Sequence, residues 1–220
     1  MLEELYYRLH RRAARSGERG KYSAGYWQDA VRSLVLEWCR MREGNLLEVG
    51  CGEGLFLSRL AHRTQKLSLW GIDNDPGRLD LTRQYFRDLG IEPVPALKLA
   101  DAGNSGLEDD FFDTVVCVNV CLNLSSFAAV EEVLCEMRRV CRPGGRIIFD
   151  FRNGRNPLLK LKYKLAPWYD KTVKNLSLRT EDPVRVEAAL KRLGLWVCRK
   201  AYLGFGERLW APIVIVEVRK

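Results

Sequence analysis

Apolar positions along the chain switch repeatedly between helical spacing and unbroken runs. Val31, Leu34, Val35 and Trp38 fall on one helical face and predict an amphipathic helix over 29–41. Residues 45–49 form a short apolar run ending in glycines, the pattern of a buried strand, and 55–61 return to a helix. A second strand follows over 67–72. Asp75-Pro76 then opens a helix, with Asp as cap and Pro at the first position. Leu79, Thr82, Phe86 and Leu89 line that helix, and Gly90 suits its end. Residues 94–99 predict a third strand disturbed by Pro93 and Pro95, and 114–120 read as a strand covered on both faces. Val130, Val133, Leu134, Met137, Val140 and Cys141 mark a helix closed by Pro143-Gly144-Gly145, with a strand at 146–151. Asp182-Pro183 opens the last helix, with Val186, Ala189, Leu190 and Leu193 on its face and Gly194 after it. Strands at 196–203 and 213–218 close the chain without a helix between them, so they are expected to pair antiparallel. The expected fold class is α/β: a single doubly wound, mostly parallel sheet of seven strands, the last antiparallel, with helices on both faces.

Two stretches break the rhythm: 1–28, an N-terminal arm or lid, and 152–181. From Arg155 to Arg179 the second carries Lys160, Lys162, Lys164, Lys171 and Lys174 against a single acid, Asp170, with Tyr163, Trp168 and Tyr169 interleaved. Its segment from Leu159 to Leu165 alternates Leu or Tyr with Lys at period two, which reads as an amphipathic strand. The resulting plan is one domain: the arm, a ligand-binding core over 29–151, a basic substrate-side insertion over 152–181, and a C-terminal helix and strand pair over 182–220. At 220 residues the chain can bury one substantial core but has little room for two.

Net charge of +8 and a pI near 9.2 favour an anionic partner without naming one. The seven cysteines form no C-x-x-C pair and no zinc-spaced cluster with histidine, so no metal site is expected. Their odd number argues against a disulfide framework, and with no apolar leader and no long apolar run the expected location is the cytoplasm.

The sharpest chemical signal is Leu46-Leu47-Glu48-Val49-Gly50-Cys51-Gly52-Glu53-Gly54, a strand running through alternate glycines into a helix. A dinucleotide fingerprint needs a third glycine that would fall at Leu55 or Leu57, and the G-x-x-x-x-G-K phosphate loop is absent. Glu48 would repel a pyrophosphate but suits a cation. Asp73 ends the second strand 23 residues after Gly50, near the spacing of about 20 for an acid that binds ribose hydroxyls. Asp101-Ala102 follows the third strand, where a carboxylate and a backbone N–H suit an exocyclic amine and a ring nitrogen. Phe112-Asp113 leads into the strand that carries Asn119, expected to face the reaction centre.

Taken in order, LLEVGCGEG, GIDND, ADA, FFDTVVCVNVCLNL and RPGGRIIFD resemble the class I S-adenosylmethionine-dependent methyltransferases, of Rossmann-like fold and small-molecule type. The likeness covers 29–150 well and 183–220 in outline. It implies S-adenosyl-L-methionine as cofactor. It implies that Glu48 and the backbone of Gly50, Cys51, Gly52 and Gly54 hold the methionine part, and that Asp73, with Asn74 beside it, takes the ribose. Asp101 and Ala102 would meet the adenine, and Asn119 the amino group and sulfonium. A ligand with an ammonium and a sulfonium but no phosphate agrees with the charge of Glu48.

No catalytic base stands out. His62 reads as the surface end of a helix and His10 as part of a basic arm, while Asp150, Arg152 and Asn153 are substrate-facing candidates. Cys121 reads as packing, and Tyr22, Tyr26 and Trp27 either close over the cofactor or pack. The fourth strand lacks the Asn/Asp-Pro-Pro-Tyr/Phe tetrad of many nucleic-acid amino methyltransferases, reading Asn119-Val120-Cys121-Leu122. The favoured reading is methyl transfer to O, N or C of a small-molecule, anionic acceptor. An RNA or protein methyltransferase is the first alternative, and a non-catalytic domain that binds the cofactor or a partner is the second.

Overall fold

Leu46 and Leu47 are neighbours in sequence, both fully buried, yet each packs into a different apolar cluster. Successive strand residues point to opposite faces, so both faces of this strand are covered. The structure is a computed structural model describing residues 26–169, 179–204 and 210–220. Its elements are α1 (Tyr26–Cys39), β1 (Gly44–Val49), α2 (Leu55–Ala61), β2 (Leu67–Asp73), α3 (Pro76–Asp88), β3 (Ala96–Leu99) and β4 (Phe112–Cys117). A 3-10 turn (Cys121–Asn123) follows, then α4 (Phe127–Val140), β5 (Cys141–Arg152), α5 (Pro157–Tyr169), α6 (Pro183–Arg192), β6 (Trp196–Leu203) and β7 (Ile213–Arg219).

The strands form one seven-stranded sheet in the order β3-β2-β1-β4-β5-β7-β6. Pairing is parallel from β3 through β5, and β7 runs antiparallel to both β5 and β6. On one face Leu47, Val115, Ile147 and Val216 meet α4 and α6 through Val133, Met137 and Leu190. On the other, Leu46, Val116, Ile148 and Ile215 meet α1, α2 and α3 through Val35, Phe56 and Phe86. This is the expected doubly wound architecture. Asp75 and Asp182 cap α3 and α6 as expected, accepting the Gly77 and Val184 N–H at 2.9 and 3.0 Å. His62 is the exposed C-cap of α2.

Several boundaries move. β3 starts only after Pro95, which cannot donate to a ladder. β4 ends at Cys117 because Asn119 turns to φ 60, outside strand geometry. β5 starts at Cys141, which pairs with Phe112 before a register shift, so Pro143-Gly144-Gly145 lie within the strand's irregular start. Leu89 is exposed rather than packed.

The largest correction is the stretch from Leu159 to Leu165, expected as a strand and found inside helix α5. The Asn156 side chain accepts the Leu159 N–H at 2.9 Å, and Pro157 occupies the first position, so the local sequence caps a helix. Beyond β5 the sheet continues through β7, which takes the ladder positions up to Arg152. His10, Tyr22, Asp170, Lys171 and Lys174 lie outside the described residues.

Candidate functional site

β1 and β4 are adjacent, but β1 leads on to β2 and β4 to β5, in opposite directions across the sheet. A crevice opens where neighbouring connections diverge, beyond the carboxyl ends of the strands. The glycine loop leaves β1 at this point and the turn carrying Asn119 leaves β4.

The loop is fixed by its own backbone. Gly50 and Cys51 both donate to the Ile72 carbonyl, at 2.8 and 2.9 Å, and Gly54 donates to Cys51 O at 2.9 Å. Thr82 of α3 donates its hydroxyl to Gly52 O at 2.7 Å, while the Gly52 N–H donates to Asp73 Oδ2 at 2.9 Å. Gly50 has φ +72, and a Cβ there would lie 2.4 Å from Val120 Cγ2, so only glycine lets the loop pass the β4 turn. Gly52 has φ +54, but nothing lies within 4 Å of a Cβ built on it. The loop therefore presents bare backbone to open space at Gly52.

Glu48 stands at the base of this loop, 4% exposed, and its Oε2 has no hydrogen-bond partner. Burial pushes its carboxyl well above the usual carboxylate range, Arg32 of α1 opposes the rise, and the Asp73 charge adds to it. Asp73 is buried too, and its Oδ1 accepts the Asp75 N–H at 3.0 Å. Two carboxylate oxygens offer about four acceptor positions, so these two backbone donors leave Asp73 room for hydroxyl donors. Asn74 is exposed beside it. Asp101 is exposed, with Oδ1 accepting the Gly103 N–H at 2.8 Å, and Ala102 packs partly against the core. The Ala100 N–H donates to Asp73 O at 3.0 Å, which places Asp101 and Ala102 just beyond the β2 terminus.

Asn119 is held in its left-handed conformation from below. Its N–H donates to Asp150 Oδ1 at 2.5 Å, and its side-chain oxygen accepts from Arg152 at 3.2 Å. Its amide donates to the Gln28 carbonyl of α1 at 3.5 Å. Asp150 and Arg152 form a buried ion pair at 2.8 Å. Burial raises the Asp150 carboxyl, while Arg152 and the Asn119 N–H counter it. Tyr163 of α5 also bonds Arg152; burial raises its phenol and Arg152 moderates the shift. Asp150 and Arg152 therefore position Asn119 from within the protein.

Asn153 is also buried and faces inward: its amide donates to Ala211 O at 2.8 Å and its oxygen accepts the Arg155 N–H at 3.0 Å. Its use there corrects the expectation that it faces a substrate. Asp113 is structural, accepting the Asn45 N–H at 2.7 Å and pairing with Arg142 at 2.7 Å. Cys121 is buried against Cys117, whose thiol is raised first by their hydrogen bond and then by burial. Arg32, Thr82 and Tyr163 join the site without a local sequence signal, because each reaches it through tertiary packing.

A methyltransferase-domain family model matches residues 47–149. The chain is 33% identical over 147 residues to a phosphatidylethanolamine N-methyltransferase of Cereibacter sphaeroides, covering 66% of this chain and 70% of that one. It is 30% identical over 131 residues to a ubiquinone/menaquinone biosynthesis C-methyltransferase of Burkholderia mallei, covering 57% of this chain and 52% of the relative. The magnesium protoporphyrin IX methyltransferase of Synechocystis PCC 6803, solved with bound SAH, superposes with a TM-score of 0.72 at 17% identity, covering 100% of this chain and 96% of that one. The PH0226 protein of Pyrococcus horikoshii OT3 gives a TM-score of 0.70 at 18% identity, with 98% of each chain covered. At those identities the structural likeness speaks for the fold, and the sequence relatives speak for the family. The chain belongs to the class I S-adenosylmethionine-dependent methyltransferases, and S-adenosyl-L-methionine is its cofactor.

Proposed function

We propose that Glu48, the backbone of Gly50, Cys51, Gly52 and Gly54, and Asp73, Asn74, Asp101, Ala102 and Asn119 hold the cofactor, and that the acceptor is a small, anionic or amphiphilic molecule. The observation that carries the cofactor reading is the unpartnered buried Glu48 Oε2 at the end of β1, together with the open space over Gly52 in the loop that follows. A buried carboxylate oxygen lacking a partner is costly, and an ammonium group would satisfy it. Asp73 suits ribose hydroxyls, and Asp101 with Ala102 suits the adenine edge.

When bound, the cofactor supplies a methyl group already activated by a sulfonium. The chain's own task is alignment, worth an effective molarity of about 10⁵–10⁸ M where the reacting atoms are held in a near-attack geometry. Asn119, held by Asp150 and Arg152, gives the floor of the crevice a fixed shape. Arg179 supports an acceptor-side role for the basic stretch: its N–H donates to Leu122 O at 3.1 Å and its guanidinium to Ser125 O at 3.0 Å. These bonds tie Arg179 to the turn after β4. The relatives are named as a phosphatidylethanolamine N-methyltransferase and a C-methyltransferase of ubiquinone/menaquinone biosynthesis, which supports a small-molecule acceptor. Seven free cysteines support work in the cytoplasm.

The test is transfer of labelled methyl groups from the cofactor to a panel of aminophospholipids, quinols, carboxylated porphyrins and transfer RNA. Labelled small molecule is the expected result; label only in RNA would overturn the acceptor reading.

A further inference from the structure

Helix α5 carries an apolar ridge on its outer side. Leu158, Leu161 and Leu165 are 64%, 53% and 46% exposed, and their spacing of three and four places them on one face. The opposite face is engaged: Leu159 is buried and Tyr163 bonds Arg152 beneath Asn119. Lys160 and Lys164, both exposed, flank the ridge. Lys160 also lines a surface cleft of about 440 Å³ with Arg155, Arg179 and Arg185. The acids of that cleft are already engaged, Asp182 by Arg155 and Glu181 by Arg179, both at 3.0 Å. Four cations against two paired acids leave the cleft positive.

We propose that the leucine ridge of α5 and the basic cleft beside it form a docking surface for an anionic phospholipid bilayer. An isolated exposed leucine is ordinary, but three in register with lysines at their flank have the anatomy of a helix lying in a membrane interface. The apolar ridge would sit at the boundary of headgroups and acyl chains, with Lys160, Lys164 and the cleft arginines at the level of the phosphates. Among the described residues no helix is long and apolar enough to cross a membrane, so contact there is peripheral. The inner face of the same helix reaches the Arg152–Asn119 network. Docking would therefore bring the acceptor side of the crevice to the lipid surface. This inference is independent of which acceptor is methylated, because its readout is vesicle binding in the absence of any reaction.

The experiment is flotation of the full chain with vesicles of phosphatidylcholine alone and of phosphatidylcholine with about 40 mol% phosphatidylglycerol, at low and high salt. Wild type is expected to float with the anionic vesicles only and to be released by salt. Leu158→Asn/Leu161→Asn/Leu165→Asn, whose sites are exposed, should fold as judged by circular dichroism and bind at least roughly tenfold more weakly, given the apolar area removed. Lys160→Gln/Lys164→Gln should lose roughly fivefold per lysine on anionic vesicles. Absence of flotation with anionic vesicles would overturn the proposal. Binding unchanged in the leucine variant would also overturn it, placing any contact in another part of the chain such as 1–25. A concentration-dependent dimer lost in the leucine variant, without vesicle binding, would assign the ridge to a second copy instead.

Discussion

Gly52→Ala separates the part of the glycine loop that serves the fold from the part that serves the ligand. At φ +54 an alanine costs about 1–2 kcal/mol for its left-handed backbone, offset by about 0.4–1 kcal/mol from a stiffer unfolded chain. No atom lies within 4 Å of the new methyl, so no packing cost is added. The net loss is about 1 kcal/mol, or a fall of roughly 2–4 °C in Tm for a chain of this size. Gly50→Ala carries the same backbone cost at φ +72 and also drives a Cβ to 2.4 Å from Val120 Cγ2. Overpacking of that kind costs about 1–3 kcal/mol more. Thermal unfolding should therefore rank the variants wild type, Gly52→Ala, Gly50→Ala. Calorimetric titration of folded Gly52→Ala with S-adenosylmethionine should show a Kd raised at least roughly tenfold, about 1.4 kcal/mol, because the methyl enters the space assigned to the ligand. Affinity within twofold of wild type would refute the assignment, and a Tm loss equal to that of Gly50→Ala would refute the geometry.

Glu48 provides a prediction with a sign. Its carboxyl is raised by burial in the free protein, and a cation beside it would favour the charged form, so binding releases protons and affinity rises with pH. Titrations in buffers of different ionisation enthalpy should show that release, and Glu48→Gln should abolish it. Glu136 is the opposite case: the Arg139 hydrogen bonds, helped by Ser105, outweigh burial and lower its carboxyl from 4.5 to about 2. A lowered carboxyl stabilises fully above its unfolded value, so a contribution of about 1–2 kcal/mol at pH 7, after allowance for solvent screening of the partly exposed Arg139, should fade between pH 4.5 and 2. In urea titrations the deficit of Glu136→Gln should shrink over that interval, and a pH-independent deficit would contradict the assignment. Asp150→Asn leaves Arg152 buried without its counter-charge and should cost about 3–5 kcal/mol in urea unfolding, with a smaller loss in Asp150→Asn/Arg152→Met. A single-variant loss below about 1 kcal/mol would show that the pair is solvated.

The sheet was legible because its signals are local: apolar runs for β1, β4 and β5, Asp-Pro caps for α3 and α6, and glycines at the strand ends. Glu48, Gly52 and Asp73 were legible for the same reason, lying within or just after two consecutive strands. Asn119 was expected inside the fourth strand near its end and lies just beyond β4, in the turn that follows, and its support by Asp150 and Arg152 depends on strand pairing. The Arg32 charge near Glu48 and the Thr82 bond to Gly52 likewise arise from helices packing on the sheet. The stretch from Leu159 to Leu165 was misread because seven residues of period-two alternation also satisfy a helix face. The deciding information was the Asn156-Pro157 cap just upstream and the neighbouring strand β7, which takes the ladder up to Arg152.

The most direct test of the site is calorimetry on protein stripped of nucleotide, titrated with S-adenosylmethionine and with NAD, for wild type and Asp73→Ala. S-adenosylmethionine binding without NAD binding, weakened at least roughly tenfold in folded Asp73→Ala, is the predicted result. Equal S-adenosylmethionine affinity in the two proteins would contradict the central claim that Asp73 and the glycine loop beside it hold the cofactor.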